Sequence, residues 1–446
     1  MSQWEPARDG HVLPSRQFSI WALRLALLYV VWMISKAVYN IYFHPLARFP
    51  GRRIAAISPW WLYLQGMTRQ PEEIFEKLHK EYQSPLLRIA PNELHIDDPA
   101  VYSTLYSQTS PFLKDPHFYA GFNAPATAFT EANPSLHKER RKLIQGNFSK
   151  QTVQNAGRTI QAKFDVMSAI IRRMGPDDSI NFHNALRWVT VDIISEFAFG
   201  DSFDLLQSIK ETSFETNFLK AFDLVATSVL HFTFWPILRT ITNSLPQALA
   251  LRMSDEVAGF VAFNNRVQLA RRRFYDSERE GKAKEDQPTI FDQLRGLTEQ
   301  QSAAEAIDIM VAGSDTTATT LAIGTYQILS NSEIASKLNA ELDGAIPDPT
   351  DMPDLQTLEK LDYLTACCKE SVRFAMATPG RLPRIVPPSP PFVVDGMVIP
   401  PGSVVRMSAH TMHYDQSIWG ENAREFAPER WLQANANTLD KYLYCS

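Results

Sequence analysis

A chain of 446 residues, 45% hydrophobic and 11% aromatic, holds enough apolar material for one large domain or two to three ordinary ones, which excludes wholesale disorder. A formal net charge of -5 leaves no basic footprint, so nucleic-acid binding is set aside. The three cysteines, Cys367, Cys368 and Cys445, include one adjacent pair and no CxxC, which excludes a disulfide framework and a zinc site and points to a reducing compartment.

From Phe18 to Ser35 the chain reads FSIWALRLALLYVVWMIS, apolar but for Arg24 and a few hydroxyls. As a helix this stretch spans roughly 27 Å, near the hydrocarbon thickness of a bilayer. Arg24 would cost about 2.5–3.5 kcal/mol at the midplane, but near one end of the span it snorkels to the interface. A membrane anchor over residues 18–36, a cleaved signal peptide and a buried core helix all fit such a stretch. No small-residue cleavage site follows, and the anchor is the expectation. Arg8 and Arg16 precede it, against Lys36, Arg48, Arg52 and Arg53 after it. That excess places the main body on the cytosolic side.

The segment YFHPLARFPG (Tyr42 to Gly51) cannot continue a helix and reads as an elbow between membrane and globule. LLRIAPNELHID (Leu86 to Asp97) alternates around Pro91-Asn92 and reads as a β-hairpin. From about Ser135 to Leu342 the apolar spacing is helical, as in RWVTVDIISEFAFG. RRRFYDSEREGKAKEDQ (Arg271 to Gln287) is charged enough for a solvated helix end and loop. Strand signals return in FVVDGMVIPPGSVVRMS (Phe392 to Ser408), with DG and PPG as hairpin punctuation. The expected fold is therefore mainly α with small β-sheets (α+β), one large domain over residues 42–446 behind the anchor.

Four constellations could carry chemistry. In IDIMVAGSDTTATTLAIGTYQILS the flanks suit a long buried helix, but Ala312-Gly313-Ser314-Asp315-Thr316-Thr317 has poor helix propensity and an acid where a core wants leucine. Ser314 or Asp315 capping a second helix explains this blandly; a groove beside a bent helix explains it functionally. Glu370 and Arg373, three apart in KESVRFA, share a helix face and ordinarily make only a weak surface pair. FAPERW supplies a second charged fork in Glu429 and Arg430. In SLHKERRKL, His137 and Arg141 fall on one face; a solvated basic helix is the plain reading and a bound carboxylate the sharper one.

In their order and spacing, AGSDTT, E-x-x-R, PGRLPR, the late hairpin and F-x-P-E-R-W resemble the cytochrome P-450 family of haem-thiolate monooxygenases. HPLARFPG, LRIAPNELHI, FLKDPHFY and HKERRKLIQGNFS are similar to its membrane-anchored fungal class, and the likeness runs from about residue 18 to Leu443. The resemblance implies that Asp315 and Thr316 are catalytic, an acid–alcohol pair relaying protons on the distal side of the haem, with Ala312 and Gly313 kept small beside them. It implies a structural cluster of Glu370, Arg373 and Arg430, and haem-propionate partners in His137, Arg141 and Arg384. It further implies haem as cofactor, an NADPH-dependent flavoprotein reductase as electron donor, and an endoplasmic reticulum membrane location. The substrate is then an apolar small molecule such as a terpenoid or polyketide intermediate, in a pocket lined by segments 95–130 and 200–240.

The family's proximal cysteine lies in a glycine-bearing loop F-x-x-G-x-R-x-C-x-G shortly after PERW. This sequence reads DKYL and then Tyr444-Cys445-Ser446. Cys445 stands too early to be that ligand, so no metal ligand is assigned and a truncated form is expected. Two functions follow from this reading: a monooxygenase by descent, or a non-catalytic membrane relic that lacks the axial thiolate.

Overall fold

The computed structural model describes residues 15–68, 70–175, 177–208, 214, 216–280, 289–348, 352–380, 382–434 and 436–443. Helix α1 (Ser15–Tyr42) runs six residues past the expected anchor before His44-Pro45 ends it, and its apolar stretch Phe18–Tyr42 is long enough to cross a membrane. Its side chains are exposed nearly throughout, which rules out a core helix. The Arg24 guanidinium lies 5.2 Å from the Trp21 ring and the Lys36 ammonium 5.0 Å from that of Trp32, so each cation rests on an aromatic ring of its own helix.

Helices α2 (Trp60–Met67) and α3 (Pro71–Tyr82) follow the elbow. Pro71 opens α3 and Glu72 and Glu73 fill its first turn, where the helix dipole favours acids. The predicted hairpin forms as β1 (Leu86–Ala90) and β2 (Glu93–Ile96), antiparallel with Leu86 facing Ile96. Strands β3 (Leu113–Lys114) and β4 (Arg384–Ile385) join them, then β5 (Phe392–Val394), β6 (Met397–Ile399) and β7 (Val404–Arg406). The larger sheet has the order β1-β2-β7-β4-β3, with β7 parallel to β2. The late segment is thus split. Asp395 and Gly396, both at positive φ, close the β5–β6 hairpin, whereas Pro400-Pro401-Gly402 sends β7 to the other sheet.

Between these strands lie α4 (Pro134–Ile144), α5 (Phe182–Phe199), α6 (Asn217–Phe234), α7 (Asp255–Arg279), α8 (Glu299–Ser330) and α9 (Asp362–Ala375). Their starts are chemically marked. Asn133 accepts the Ser135 and Leu136 amides below α4, and Thr298 and Gln301 form a capping box on α8. The main core packs α5, α7 and α8 together through Val189, Val191, Phe263, Val267, Ala306 and Met310. Arg271 donates to Ser302 Oγ at 2.6 Å, so the charged run is anchored at its start; residues 281–288 lie outside the described chain.

Helix α8 is unbroken, which corrects the reading of Ser314 or Asp315 as a cap. Ser314 is fully buried, and its carbonyl accepts Thr190 Oγ1 from α5 at 3.0 Å. A Cβ on Gly313 would stand 2.9 Å from Ile194, and one on Gly324 would stand 2.2 Å from Ser371 Oγ on α9. The weak helix formers are there so that α5 and α9 can pass close.

Candidate active site

Asp315 and Thr316 are adjacent on α8 but face different neighbours. The Asp315 carboxylate meets Arg187 of α5 in a two-point contact, Nε to Oδ1 at 2.7 Å and Nη2 to Oδ2 at 3.1 Å. Arg187 is almost wholly buried and also reaches Asp223 of α6 at 2.9 Å. The side chain of Asp223 is 64% exposed, so the chain Asp223–Arg187–Asp315 runs from solvent to the helix. Thr316 Oγ1 donates to the Ala312 carbonyl at 2.7 Å, the back-bond that bends helices, and Ala312 itself is exposed.

His137, Arg141 and Arg384, drawn from α4 and β4, line one cavity of about 990 Å³. Lys114 of β3 joins them, held by its Nζ donating to the Phe129 carbonyl at 2.6 Å and to that of Ala128 at 3.1 Å. Arg384 Nη1 donates to Tyr119 Oη at 2.8 Å, and its guanidinium lies 5.0 Å from the Tyr106 ring. Burial lowers the His137 imidazole to about 4, helped by Lys114, Arg141 and Arg384, so at neutral pH it is an uncharged donor. Burial also lowers Lys114 to about 8, with Arg384 adding repulsion, which leaves it cationic at neutral pH. Two arginines and a lysine around one cavity are the donor set a pair of carboxylates requires, and they fit the propionates of a haem. Ala312 and the described residues of segment 200–240 do not line this cavity. Helix α6 packs instead on α7 and on the turn Ala120–Phe122.

Glu370, Arg373 and Arg430 form one buried cluster. Glu370 accepts Arg373 Nε at 2.9 Å and Nη2 at 2.7 Å, Arg430 Nε at 3.1 Å, Trp431 Nε1 at 2.9 Å and the Ala427 amide at 2.9 Å. Burial works to raise this carboxyl, but the two guanidiniums outweigh it and hold it below the ordinary range. Arg373 also donates to the carbonyls of His413, Ala423 and Glu425, and Arg430 to those of Trp419 and Asn422. The pair is therefore no surface contact but a clamp between α9 and the segment around PERW.

His413 under this clamp gives a pH signature. Burial drives its imidazole down to about 4, although a bond to the Arg373 carbonyl works the other way. The unfolded chain takes up that proton near pH 6.5, so below this value the unfolded state binds more protons. Stability is therefore lost as pH falls from about 6.5 to about 4, by about 3 kcal/mol for this group. Denaturant midpoints are expected to fall over that range in the parent and to flatten in His413→Gln. Parallel curves for the two would contradict it.

Some contributors escaped the sequence reading. Lys114 stood in the quoted FLKDPHFY without a role, and Arg187 was one of three charged residues, with Asp192 and Glu196, in a mostly apolar helix. Of the cysteines, burial pushes the Cys367 thiol up to about 12, the opposite of a ligand thiolate, and neither it nor Cys368 lines the cavity. Cys445 lies outside the described residues.

Comparison with known proteins adds an independent line. The family described as Cytochrome P450 matches residues 55–445. A cytochrome P450 monooxygenase of Alternaria solani, sol6, is 32% identical over 95% of this chain and 92% of its own length. Another from Penicillium terrestre, macH, is 31% identical over 95% and 84%, and one from Sordaria araneosa, sdnE, is 30% identical over 92% and 81%.

Proposed function

The chain belongs to the cytochrome P450 family and is a monooxygenase, an oxidoreductase; from that premise we propose that it oxidises an apolar small molecule of the terpenoid or polyketide kind, drawing electrons from NADPH through a separate reductase. The observation that carries the reading is the convergence of Lys114, His137, Arg141 and Arg384 on one cavity. Arg141 and Arg384 hold the two carboxylates of a haem, Lys114 adds a third cation, and His137 donates as a neutral imidazole. Haem iron, implied by the family, supplies the reduction of dioxygen and the transfer of one oxygen atom to substrate.

The chain's own part is proton supply. The Asp315 side chain is itself partly exposed and takes protons from solvent directly, while Arg187, paired also with Asp223, holds its carboxylate in place. Asp315 releases its proton to a water that the Thr316 hydroxyl holds by accepting from it, while that hydroxyl's own proton stays on the Ala312 carbonyl. Helix α1 anchors the enzyme in the endoplasmic reticulum membrane with the globule on the cytosolic side. The relatives, each a monooxygenase matched over nine-tenths or more of this chain, favour an enzyme over a non-catalytic relic.

The test is co-expression of the full chain with an NADPH reductase in yeast microsomes, supplied with isotopically labelled dioxygen and a panel of terpenoids and polyketides. One labelled oxygen atom in a product, together with the red-shifted carbon monoxide difference band of the reduced protein, is the expected result. Purified chain without bound haem would sink the reading.

A further inference from the structure

The elbow between α1 and the globule is built as a joint without play. Leu46 is fully buried and Phe49 nearly so, and both pack into the core cluster that holds Leu86, Leu94 and Phe392. The Pro50 carbonyl accepts the Arg88 amide of β1 at 2.6 Å, and Gly51 lies so close to β1 that a Cβ there would collide with the Arg88 carbonyl. Arg48 of the elbow donates to the Val398 carbonyl of β6. A flexible linker of the same nine residues, 43–51, would let its ends wander over roughly 15–18 Å.

The tie continues into α1 itself. Arg88 is 3% exposed, and its guanidinium spans two carbonyls that belong to different elements. Nη1 donates to the carbonyl of Asn40, in the last turn of α1, at 2.7 Å. Nε and Nη2 donate to that of Pro91, at the β1–β2 turn, at 3.2 and 2.6 Å. Asn40 is buried as well, and its Nδ2 donates to the Ile57 carbonyl at 3.3 Å. The last carbonyls of a helix have no partner within it and carry the negative end of its dipole, which suits a planar cation with several donors. A loose tether needs none of this. Water would satisfy the same carbonyls, and ordering an arginine side chain costs up to about 2 kcal/mol.

We propose that Arg88 splints α1 to the sheet, so that anchor and globule move as one body and the bilayer meets one fixed face of the protein. Orientation on the membrane is then set by the fold and not by the lipid. The assignment rests on the reading of α1 as a membrane anchor and adds that the anchor is rigidly aimed.

Nitroxide labels at Val31 of α1 and Lys77 of α3, both exposed, test it in the full chain carrying Cys367→Ala, Cys368→Ser and Cys445→Ser. In lipid nanodiscs, pulsed electron resonance is expected to give one narrow distance, the same in neutral and in anionic lipid. Arg88→Met is expected to broaden that distribution about two-fold or more, toward the spread of a free linker, with circular dichroism unchanged. Arg88→Lys keeps the charge but, as a single point, reaches only one of the two carbonyls, so it broadens the distribution too. That variant decides the matter if the methionine chain does not fold. A broad distribution in the parent, or a narrow one that survives both substitutions, overturns the splint. Relaxation of the Val31 label by oxygen and by aqueous nickel reads the membrane separately. A label open to nickel and closed to oxygen removes the anchor, and with it the fixed face, while the distance still reports the joint.

Discussion

Arg373→Met is expected to prevent recovery of the folded domain. The substitution leaves the fully buried Glu370 with one cationic partner instead of two, and breaking a buried pair costs about 3–5 kcal/mol. It also strips donors from the carbonyls of His413 and Ala423, each worth about 1–3 kcal/mol when buried and unmatched, while that of Glu425 keeps Arg430. Together these rival the whole stability of an ordinary domain, about 5–15 kcal/mol. Limited proteolysis and circular-dichroism melting of the purified chain provide the readout. A double substitution, Glu370→Leu with Arg373→Met, removes both charges and is expected to cost less than the sum of the singles. An Arg373→Met chain with the parent's melting midpoint would show that the clamp is not what holds this segment.

Asp315→Asn is expected to lower turnover by about 10²–10⁴-fold, the usual contribution of a positioned proton donor. The amide keeps the size of the carboxyl, and Arg187 retains Asp223, so the fold survives. What disappears is a group that can pick up and release a proton beside Thr316. The reductant is then consumed without product, so product formed per NADPH oxidised should fall along with the rate. Asp223→Asn, farther out and largely exposed, is expected to have a smaller effect on the same ratio. Equal rate and coupling in Asp315→Asn and the parent would remove Asp315 from the proton route.

The helices and the hairpins were legible because local rules govern them: apolar spacing, the prolines after α1, and Asp395-Gly396 at the β5–β6 turn. The motif residues were legible through their order along the chain. Non-local choices were not. A sequence cannot show that β7 leaves its hairpin to lie parallel to β2, since Glu93 and Val404 have no local signal in common. Nor does it show that Ser314 is small to let α5 approach, because a hydroxyl followed by an acid looks the same at a helix cap. Lys114 and Arg187 share another obstacle. A charge among apolar neighbours reads as an exception until the group that answers it is seen across the fold.

The parallel pairing of β2 with β7 also dictates a timetable. When β1 and β2 leave the ribosome, the edge of β2 that will hold β7 is bare, and an unpaired edge invites association with other chains. The strand that covers it is made roughly 300 residues later, about 15–60 s at a synthesis rate of about 5–20 residues per second. The edge therefore stays open through most of the chain's synthesis and closes only when Val404–Arg406 pairs with Glu93–His95.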